Sequence, residues 1–212
     1  MIETGELKVF RPFGPAIAEI TVQKNFIKDL NDYSDKIIND KNMSYKLDAG
    51  KELAGQVKQE FQVENDFFNL KIEKYLTNLI SEYLWQSFEK KMISLEKFKK
   101  NFKIRYRNKW IVRQFENEYN PLHSHSGNIS GVCYLMLPEN FGSKSQELKK
   151  NNPNGCIALS HGSEQFISPA IRLIKPTVGK FIFFPNYLLH TVYPFKGKGE
   201  RRSFSFNADV GF

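Results

Sequence analysis

The stretch N-P-L-H-S-H-S-G-N-I-S-G-V-C-Y-L-M-L-P, residues 120–138, contains His123 and His125, two of the four histidines in the chain. In extended backbone, residues two apart point to the same side, so both imidazoles can reach one point. A third histidine, His190, lies in F-F-P-N-Y-L-L-H-T-V-Y-P, and Arg201 follows it by eleven residues. Two neutral nitrogen donors at a strand end, with a distant third, predict a mononuclear metal site in a β-barrel.

The sequence after residue 101 is typical of short β-strands. Residues 103–115, K-I-R-Y-R-N-K-W-I-V-R-Q-F, alternate apolar and polar side chains over much of their length, as a half-buried strand does. Further strands, separated by turns rich in Gly and Pro, are predicted over residues 129–137, 155–160, 179–185, 189–194 and 201–207. Because no helical pattern intervenes, a β-sandwich or barrel is expected, with an irregular stretch before Pro176.

The N-terminal half has a different periodicity. Residues 7–23 predict two short strands around the turn R-P-F-G-P. Apolar residues at three- and four-residue spacing predict a helix over residues 24–39 and a longer one over about 65–91. Residues 40–50 are polar and predict a loop, and the type of the segment that includes Leu53, Val57 and Phe61 is left open.

These patterns predict a mainly β protein with an α-helical cover. The expected core is a jelly roll over residues 102–212, and the strands and helices of residues 1–101 brace it. We found no internal repeat and no linker, so the change near residue 101 is interpreted as a boundary inside one structural unit.

Composition and charge narrow the class of protein to which the chain can belong. The net charge is +8, but the lysines are spread along the chain, which favours a solvated basic surface over a nucleic-acid site. The two cysteines, Cys133 and Cys156, lie in apolar runs without a CxxC motif, so a zinc ribbon is excluded and buried thiols are expected. The N-terminus lacks the pattern of a signal peptide, and no apolar run has membrane-spanning length, so a cytoplasmic protein is predicted.

Polar residues alternate along the last predicted strand. Arg201, Ser203, Ser205 and Asn207 share one face, which is too polar for an apolar core unless it lines a pocket. A guanidinium beside a hydroxyl fits a carboxylate well. The alternative is an edge strand with its polar face in water.

Together, the phrases H-S-H-S-G-N-I-S-G-V-C-Y-L, F-F-P-N-Y-L-L-H-T-V-Y-P and E-R-R-S-F-S-F-N resemble the Fe(II)- and 2-oxoglutarate-dependent dioxygenases of the double-stranded β-helix fold, also called the jelly-roll or cupin-like fold. The resemblance is closest to a subgroup of oxygenases found in bacteria and phages, and it covers about residues 105–209. It implies an oxidoreductase that binds Fe(II), 2-oxoglutarate and O2. The primary substrate is unknown.

The resemblance also implies roles for individual residues. His123, His125 and His190 would be the catalytic metal ligands, and Arg201 with Ser203 would bind the far carboxylate of 2-oxoglutarate. The departure is at His125, where the family usually has Asp or Glu. Three neutral imidazoles leave the site one negative charge short, although three-histidine iron sites do occur in thiol dioxygenases of the cupin fold.

Several alternatives stay open at this point. A cupin-type three-histidine metalloenzyme would not use 2-oxoglutarate, and a β-sandwich binding module would have its histidines too far apart to share a metal. Tyr134 and Asn117 are further candidates for contact with 2-oxoglutarate, Tyr134 alternatively being a core residue. Glu116 or Glu118 is a possible oxygen ligand, and His161 is interpreted as a surface residue or one that supports the ligands.

Overall fold

The computed structural model describes residues 6–10, 14–51, 53–88, 92–143 and 150–211. In these ranges the helices are α1 (Lys24–Asn39), α2 (Lys41–Lys46), α3 (Asn65–Lys71), α4 (Glu73–Ser87) and α5 (Leu95–Asn101). The strands are β1 (Lys8–Phe10), β2 (Ile17–Thr21), β3 (Gln59–Gln62), β4 (Lys103–Gln114), β5 (Asn120–His123), β6 (Ile129–Met136), β7 (Ile157–Ser160), β8 (Ile171–Ile174), β9 (Lys180–Pro185), β10 (Leu189–Val192) and β11 (Arg201–Gly211).

The strands form two antiparallel sheets. The large sheet has the order β1-β2-β9-β6-β11-β4-β3, and the small sheet has the order β5-β10-β7-β8. Apolar side chains from both sheets make a buried cluster between them: Ile17, Val132, Tyr134, Ile157, Leu159, Ile174, Ile182, Phe184, Leu188 and Val192. The inner faces of the two sheets therefore enclose the space in which the predicted site residues lie.

The helices cover the opposite, outer face of the large sheet. Phe204 and Phe206 of β11 and Phe181 of β9 are fully buried there against residues of α1 and α4, such as Phe26 and Leu76. The ring of Phe26 meets the edge of Phe204 at a centroid distance of 6.3 Å. This arrangement confirms the predicted mainly β fold with a helical cover.

Helix α1 is docked by an ion pair as well as by its apolar stripe. Arg202 lies on the same outer face of β11 as Phe204, and its side chain is only 3% exposed. Its Nη1 donates to Asp35 of α1 at 2.8 Å, and its Nε donates to Glu200 at 2.6 Å. Because the guanidinium is hydrogen-bonded on both sides, its burial is compensated.

Several boundaries differ from the sequence-based prediction. The predicted loop of residues 40–50 contains helix α2, because the Asp40 carboxylate accepts from the backbone N–H groups of Asn42 and Met43 and caps it. The single long helix predicted over 65–91 is wrong: α3 and α4 are separated at Ile72, whose φ of −115° departs from helical values. Residues 89–91 lie outside the described residues.

Two further elements were not predicted. Helix α5 occupies residues that gave no assigned pattern, and its cap is Ser94, whose hydroxyl accepts from Lys97 N at 3.3 Å. Strand β8 lies in the stretch expected to be irregular, where it pairs with β7. The strand pair β1–β2 agrees with the prediction for residues 7–23, although residues 11–13 of the predicted turn lie outside the described part.

Both cysteines are free and buried, as predicted. No helix in the described ranges is both long and apolar enough to cross a membrane. The division between residues 101 and 102 falls between α5 and β4, and it stays a prediction.

Candidate functional site

Three histidines meet at the inner face of the small sheet. Strands β5 and β10 are antiparallel neighbours, and their register sets His123 directly opposite His190. His125 follows the end of β5, where its backbone N–H donates to Asn186 O at 3.1 Å. The Asn186 side chain in turn donates Nδ2–H to His125 O at 2.6 Å. Asn186, just after β9, therefore fixes the third histidine beside the other two.

The orientation of two rings is set by the backbone. Nδ1 of His123 lies 2.7 Å from Pro121 O, and Nδ1 of His190 lies 2.9 Å from Leu188 O. Because a carbonyl oxygen only accepts, each Nδ1 carries the hydrogen, which leaves the Nε2 lone pair free. Hydrogen bonding of the second ring nitrogen is how proteins usually orient a histidine that binds a metal.

The ligand atoms are close enough to share one ion. One nitrogen from each of His123, His125 and His190 lies within 4.8 Å of the other two, and the Nε2 atoms of His125 and His190 are 3.2 Å apart. Nitrogens bound at about 2.1 Å to one metal are separated by about 3 Å or slightly more. This group of three is the one candidate metal cluster in the described ranges.

Burial keeps two of these imidazoles neutral. Desolvation, followed by the repulsion of His123, lowers the pKa of His125 to about 4. Desolvation and the same neighbour lower the pKa of His190 to about 3, against a raising contribution from Leu188 O. Neutral imidazole is the form that binds metal ions, so the site is ready for a metal at neutral pH.

Aromatic side chains wall the histidines. The Trp110 ring of β4 meets His125 edge-on at a centroid distance of 5.8 Å, and Phe184 of β9 meets His190 at 5.0 Å. Trp110 is 6% exposed and Phe184 is 2% exposed. These rings limit the access of water to two of the imidazoles.

Arg201 lies in the same cavity as the histidines and is 2% exposed. Its Nε donates to Gly155 O at 3.1 Å, and its Cζ lies 4.8 Å from the centre of the Tyr134 ring. Its Nη2 has no hydrogen-bond partner in the described part of the chain. Burial lowers the pKa of the guanidinium, with a smaller raising effect from Tyr134. A buried cation with an unused donor is costly unless an anion completes it.

The neighbours of Arg201 are hydroxyl groups. Ser203 is paired with Val112 of β4 on one side and with Tyr134 of β6 on the other, and it lines the same cavity. The Tyr134 hydroxyl is buried and has no hydrogen-bond partner among the described residues. Burial raises the pKa of Tyr134 to about 12, so this hydroxyl keeps its proton and can donate it in a hydrogen bond.

Other predicted residues are not brought to this cavity. Asn117 lies in an exposed turn at a φ of 65°, and its backbone N–H donates to Phe195 O at 2.8 Å. Glu116 is exposed, and a carboxylate oxygen of Glu118 accepts from Phe115 N at 2.9 Å. Neither carboxylate joins the histidine cluster. His161 is exposed, with its ring 6.3 Å from Tyr187, in agreement with a surface residue.

Two residues of the surroundings were missed from the sequence. Asn186 holds His125, and Glu60 of β3 is a buried carboxyl on the same sheet face as Val112, to which it is paired. Glu60 is 1% exposed, and its Oε2 has no partner in the described ranges. Burial, then the charges of Asp48 and Glu118, raises the pKa of Glu60 to about 7. The P-N turn was a weak signal for Asn186, but nothing local marks Glu60.

The residues present fit Fe(II) and 2-oxoglutarate. Imidazole is a ligand of non-haem iron, and three rings on one side leave further coordination positions open. The unused donor of Arg201 and the nearby hydroxyls of Ser203 and Tyr134 are suited to a carboxylate. No carboxylate takes part in the described metal cluster, which is the departure expected at His125.

Comparison with known proteins gives one family match by sequence. Residues 108–207 match a family described as "Putative 2OG-Fe(II) oxygenase". No curated protein matches the chain by sequence.

Solved structures show similar folds. HygX from Streptomyces hygroscopicus, with nickel and 2-oxoglutarate bound, is 10% identical with a TM-score of 0.54, and the match covers 92% of this chain and 82% of that one. A prolyl-4-hydroxylase from Pseudomonas putida is 13% identical with a TM-score of 0.51, over 90% and 91% of the two chains. These likenesses concern the fold, and they confirm the predicted double-stranded β-helix.

A third similar structure is a longer protein. It is an oxidoreductase of the 2OG-Fe(II) oxygenase family from Burkholderia pseudomallei, 12% identical with a TM-score of 0.45 over 74% of this chain. This chain spans 64% of its length.

Residues 108–207, which contain the three histidines and Arg201, therefore match the 2OG-Fe(II) oxygenases, a class of oxidoreductases that uses Fe(II), 2-oxoglutarate and O2.

Proposed function

We propose that the chain oxidises its primary substrate at an Fe(II) ion held by His123, His125 and His190, with the far carboxylate of 2-oxoglutarate on Arg201 and Ser203. When bound, Fe(II) and 2-oxoglutarate supply the oxidising chemistry. A substrate C–H group, O2 and 2-oxoglutarate become C–OH, CO2 and succinate, and one atom of O2 enters the hydroxyl group while the other enters succinate.

The observation that carries this proposal is the state of Arg201. It is a buried guanidinium with an unpartnered Nη2 in the cavity of the histidines. Gly155 O holds its Nε and the Tyr134 ring lies against its face, so the free edge of the guanidinium is fixed in position. A dianionic cosubstrate that reaches from the metal to this edge would compensate the buried charge.

The other residues act by position. The backbone carbonyls at Pro121 and Leu188 hold the Nδ1–H of two imidazoles, so each presents its Nε2 lone pair without rearrangement. Asn186 anchors His125 through two hydrogen bonds, one to its backbone N–H and one to its backbone carbonyl oxygen. Trp110 and Phe184 keep water away from the imidazoles, which protects a reactive site from side reactions.

Titration calorimetry with Fe(II) and 2-oxoglutarate under anaerobic conditions tests the division of roles. His190→Ala should abolish metal binding, because the cluster loses one of three ligands. Arg201→Ala should keep the metal and weaken 2-oxoglutarate by at least about tenfold. His161→Ala and Arg105→Ala are matched controls, since both side chains are exposed. Equal loss of metal in the His190 and Arg201 variants would contradict the assignment.

The role of His125 needs its own variants. His125→Asp should retain Fe(II), because a carboxylate restores the charge that the family usually places there. His125→Ala should bind the metal more weakly than either the wild type or His125→Asp. Unchanged iron occupancy in His125→Ala would show that this imidazole is not a ligand.

The three-imidazole set also favours one alternative, a cupin-type metalloenzyme that does not use 2-oxoglutarate. Thermal denaturation separates the two functions. The proposed function predicts a further rise in Tm when 2-oxoglutarate is added to the Fe(II) protein, by mass action on the folded state. The alternative predicts a rise with metal alone.

A further inference from the structure

A cleft of about 670 Å³ adjoins the cavity of the histidines. Its walls come from β3 and β4 and from the segments around α2 and α3, and they include Lys46, Gln62, Asn65, Asn108 and Lys109. The cleft and the cavity have one lining residue in common, Trp110. Sites for small ligands typically have volumes of about 300–1,000 Å³. The cavity of the histidines is much smaller, and its polar groups are already assigned to the metal and 2-oxoglutarate.

The register of the large sheet sets the order of these parts along its inner face. Gln114 of β4 is opposite Arg201, Trp110 is opposite Ser205, and Asn108 is opposite Asn207. Each step of two residues advances about 6.7 Å along a strand. Because Trp110 contacts His125, the histidines lie between Arg201 at one end and the cleft at the other. The cleft therefore lies on the side of the metal centre that faces away from the cosubstrate residues.

The basic side chains of the cleft are already hydrogen-bonded to other residues. Lys46 lies 3.2 Å from the Glu64 carboxylate, and Lys109 donates to Asn65 Oδ1 at 2.9 Å. Arg107 donates through Nε to Asp209 at 2.7 Å. An anionic ligand that depended on a free basic side chain would have to break one of these contacts, and the exposed Asp66 in the same cleft adds a negative charge that disfavours an anion.

Two carboxamides are free to bind a ligand. Gln62 and Asn108 are exposed, and neither carboxamide side chain makes a hydrogen bond to another residue in the described ranges, although the backbone N–H of Gln62 donates to Leu47 O at 2.8 Å. Gln62 is opposite Trp110, so Asn108, two residues along β4, is its diagonal neighbour on the same face. Diagonal pairs of this kind have Cα atoms about 7–8 Å apart, within reach of one small group. A carboxamide offers a donor and an acceptor side by side.

We propose that the primary substrate binds in this cleft and presents an amide edge, a hydrogen-bond donor beside an acceptor, to Gln62 and Asn108. The proposal rests on the proposed function and adds its substrate class. Trp110 forms the wall between this group and His125, so the atom to be oxidised reaches the metal past the indole ring. Amide edges occur in peptide groups and in nucleobases, and the two sources are separated by experiment.

Binding of two probe sets to the anaerobic Fe(II) and 2-oxoglutarate complex tests the proposal. One set consists of N-acetyl amino acid amides, and the other consists of nucleosides. In a Trp85→Phe background the fluorescence of Trp110 reports occupancy of the cleft, because these are the two tryptophans of the chain. We expect one set to change this fluorescence saturably and thereby to identify the source of the amide edge.

Matched variants give the decisive comparison. Gln62→Met and Asn108→Leu keep the approximate shapes and remove the donor and acceptor, so each should weaken the bound probe about tenfold. Asn69→Leu, an exposed carboxamide of α3 outside the cleft, should have no effect. Equal affinity in wild type, Gln62→Met and Asn108→Leu would overturn the proposal, as would no binding by either set. If Fe(II) and 2-oxoglutarate fail to bind the wild type, the proposed function fails first.

Discussion

The two faces of the large sheet have different roles, although the same strands form both. On the outer face, Phe204 and Phe206 of β11 are fully buried against the helices. On the inner face of the same strand, Arg201 and Ser203 are almost as deeply buried but remain polar. The outer face gains free energy from burial of apolar surface, while the inner face holds polar atoms without partners. Stability and chemistry are thus separated by alternation along one strand.

The largest effect should come from the outer face. Phe204→Ala should lower the free energy of unfolding by about 3–5 kcal/mol, because it leaves a cavity between β11 and α1. Ser205→Ala, on the inner face, should change it by less than about 1 kcal/mol. Urea denaturation measures both. If the fraction that stays folded in Phe204→Ala no longer binds Fe(II) or 2-oxoglutarate, the two faces are not separable.

Glu60 gives the inner face a stability that depends on pH. Its pKa is raised to about 7 from an ordinary 4.5, so the folded state holds a proton that the unfolded state releases between these values. The contribution of Glu60 to the free energy of unfolding is therefore lost as the pH rises. Glu60→Gln should gain about 2–3 kcal/mol relative to wild type between pH 5 and pH 8. A constant difference between the two proteins over this range would show that Glu60 is ionised when folded.

The histidines should act in the opposite direction. The pKa values of His125 and His190 are lowered to about 4 and about 3, so between these values and 6.5 the unfolded state binds more protons. The metal-free protein should lose about 1 kcal/mol per histidine between pH 6.5 and pH 5.5. His190→Gln should roughly halve this loss, and His161→Gln, at an exposed position, should leave it unchanged. A metal-free protein with flat stability over this range would contradict the burial of the imidazoles.

The smallest effect should come from a group of charged residues that lies outside both the apolar core and the candidate site. Arg105 and Arg107 both donate to Asp209, at 2.6 Å and 2.7 Å, in an exposed group. Asp209→Asn should lower the stability only slightly, and less still at high salt, because solvent and salt screen exposed ion pairs. A larger loss in thermal denaturation would mean that the end of β11 depends on charge.

The predictable parts of the molecule are those whose signal is periodic. The alternation of Arg201, Ser203 and Ser205 with Phe204 and Phe206 identified both faces of β11, and the apolar stripe of α1 gave that helix its observed bounds. The spacing of His123 and His125 in a turn after a strand, with His190 downstream, identified the three residues that meet in the structure.

The parts that could not be predicted depend on contacts made in three dimensions. Residues 40–46 are polar, and α2 exists because Asp40 caps it. Strand β8 has few residues and an exposed surface, so it is defined by its pairing with β7 rather than by its pattern. Glu60 became notable only when the pairing of β3 with β4 set it on the inner face. Asn117 lies in the exposed turn after β4, at a positive φ, and not on the strand itself.

The direct pairing of His123 with His190 has a mechanical consequence. Strand β5 has four residues and lies at an edge of the small sheet, so few hydrogen bonds hold it. An ion shared across this pair would act as a clasp between segments remote in sequence and would suppress fraying of the edge. Amide hydrogen exchange should then slow most in residues 120–125 when the metal is added. Amide hydrogen exchange of this one short strand would thus report whether the metal centre is occupied, before any turnover is measured.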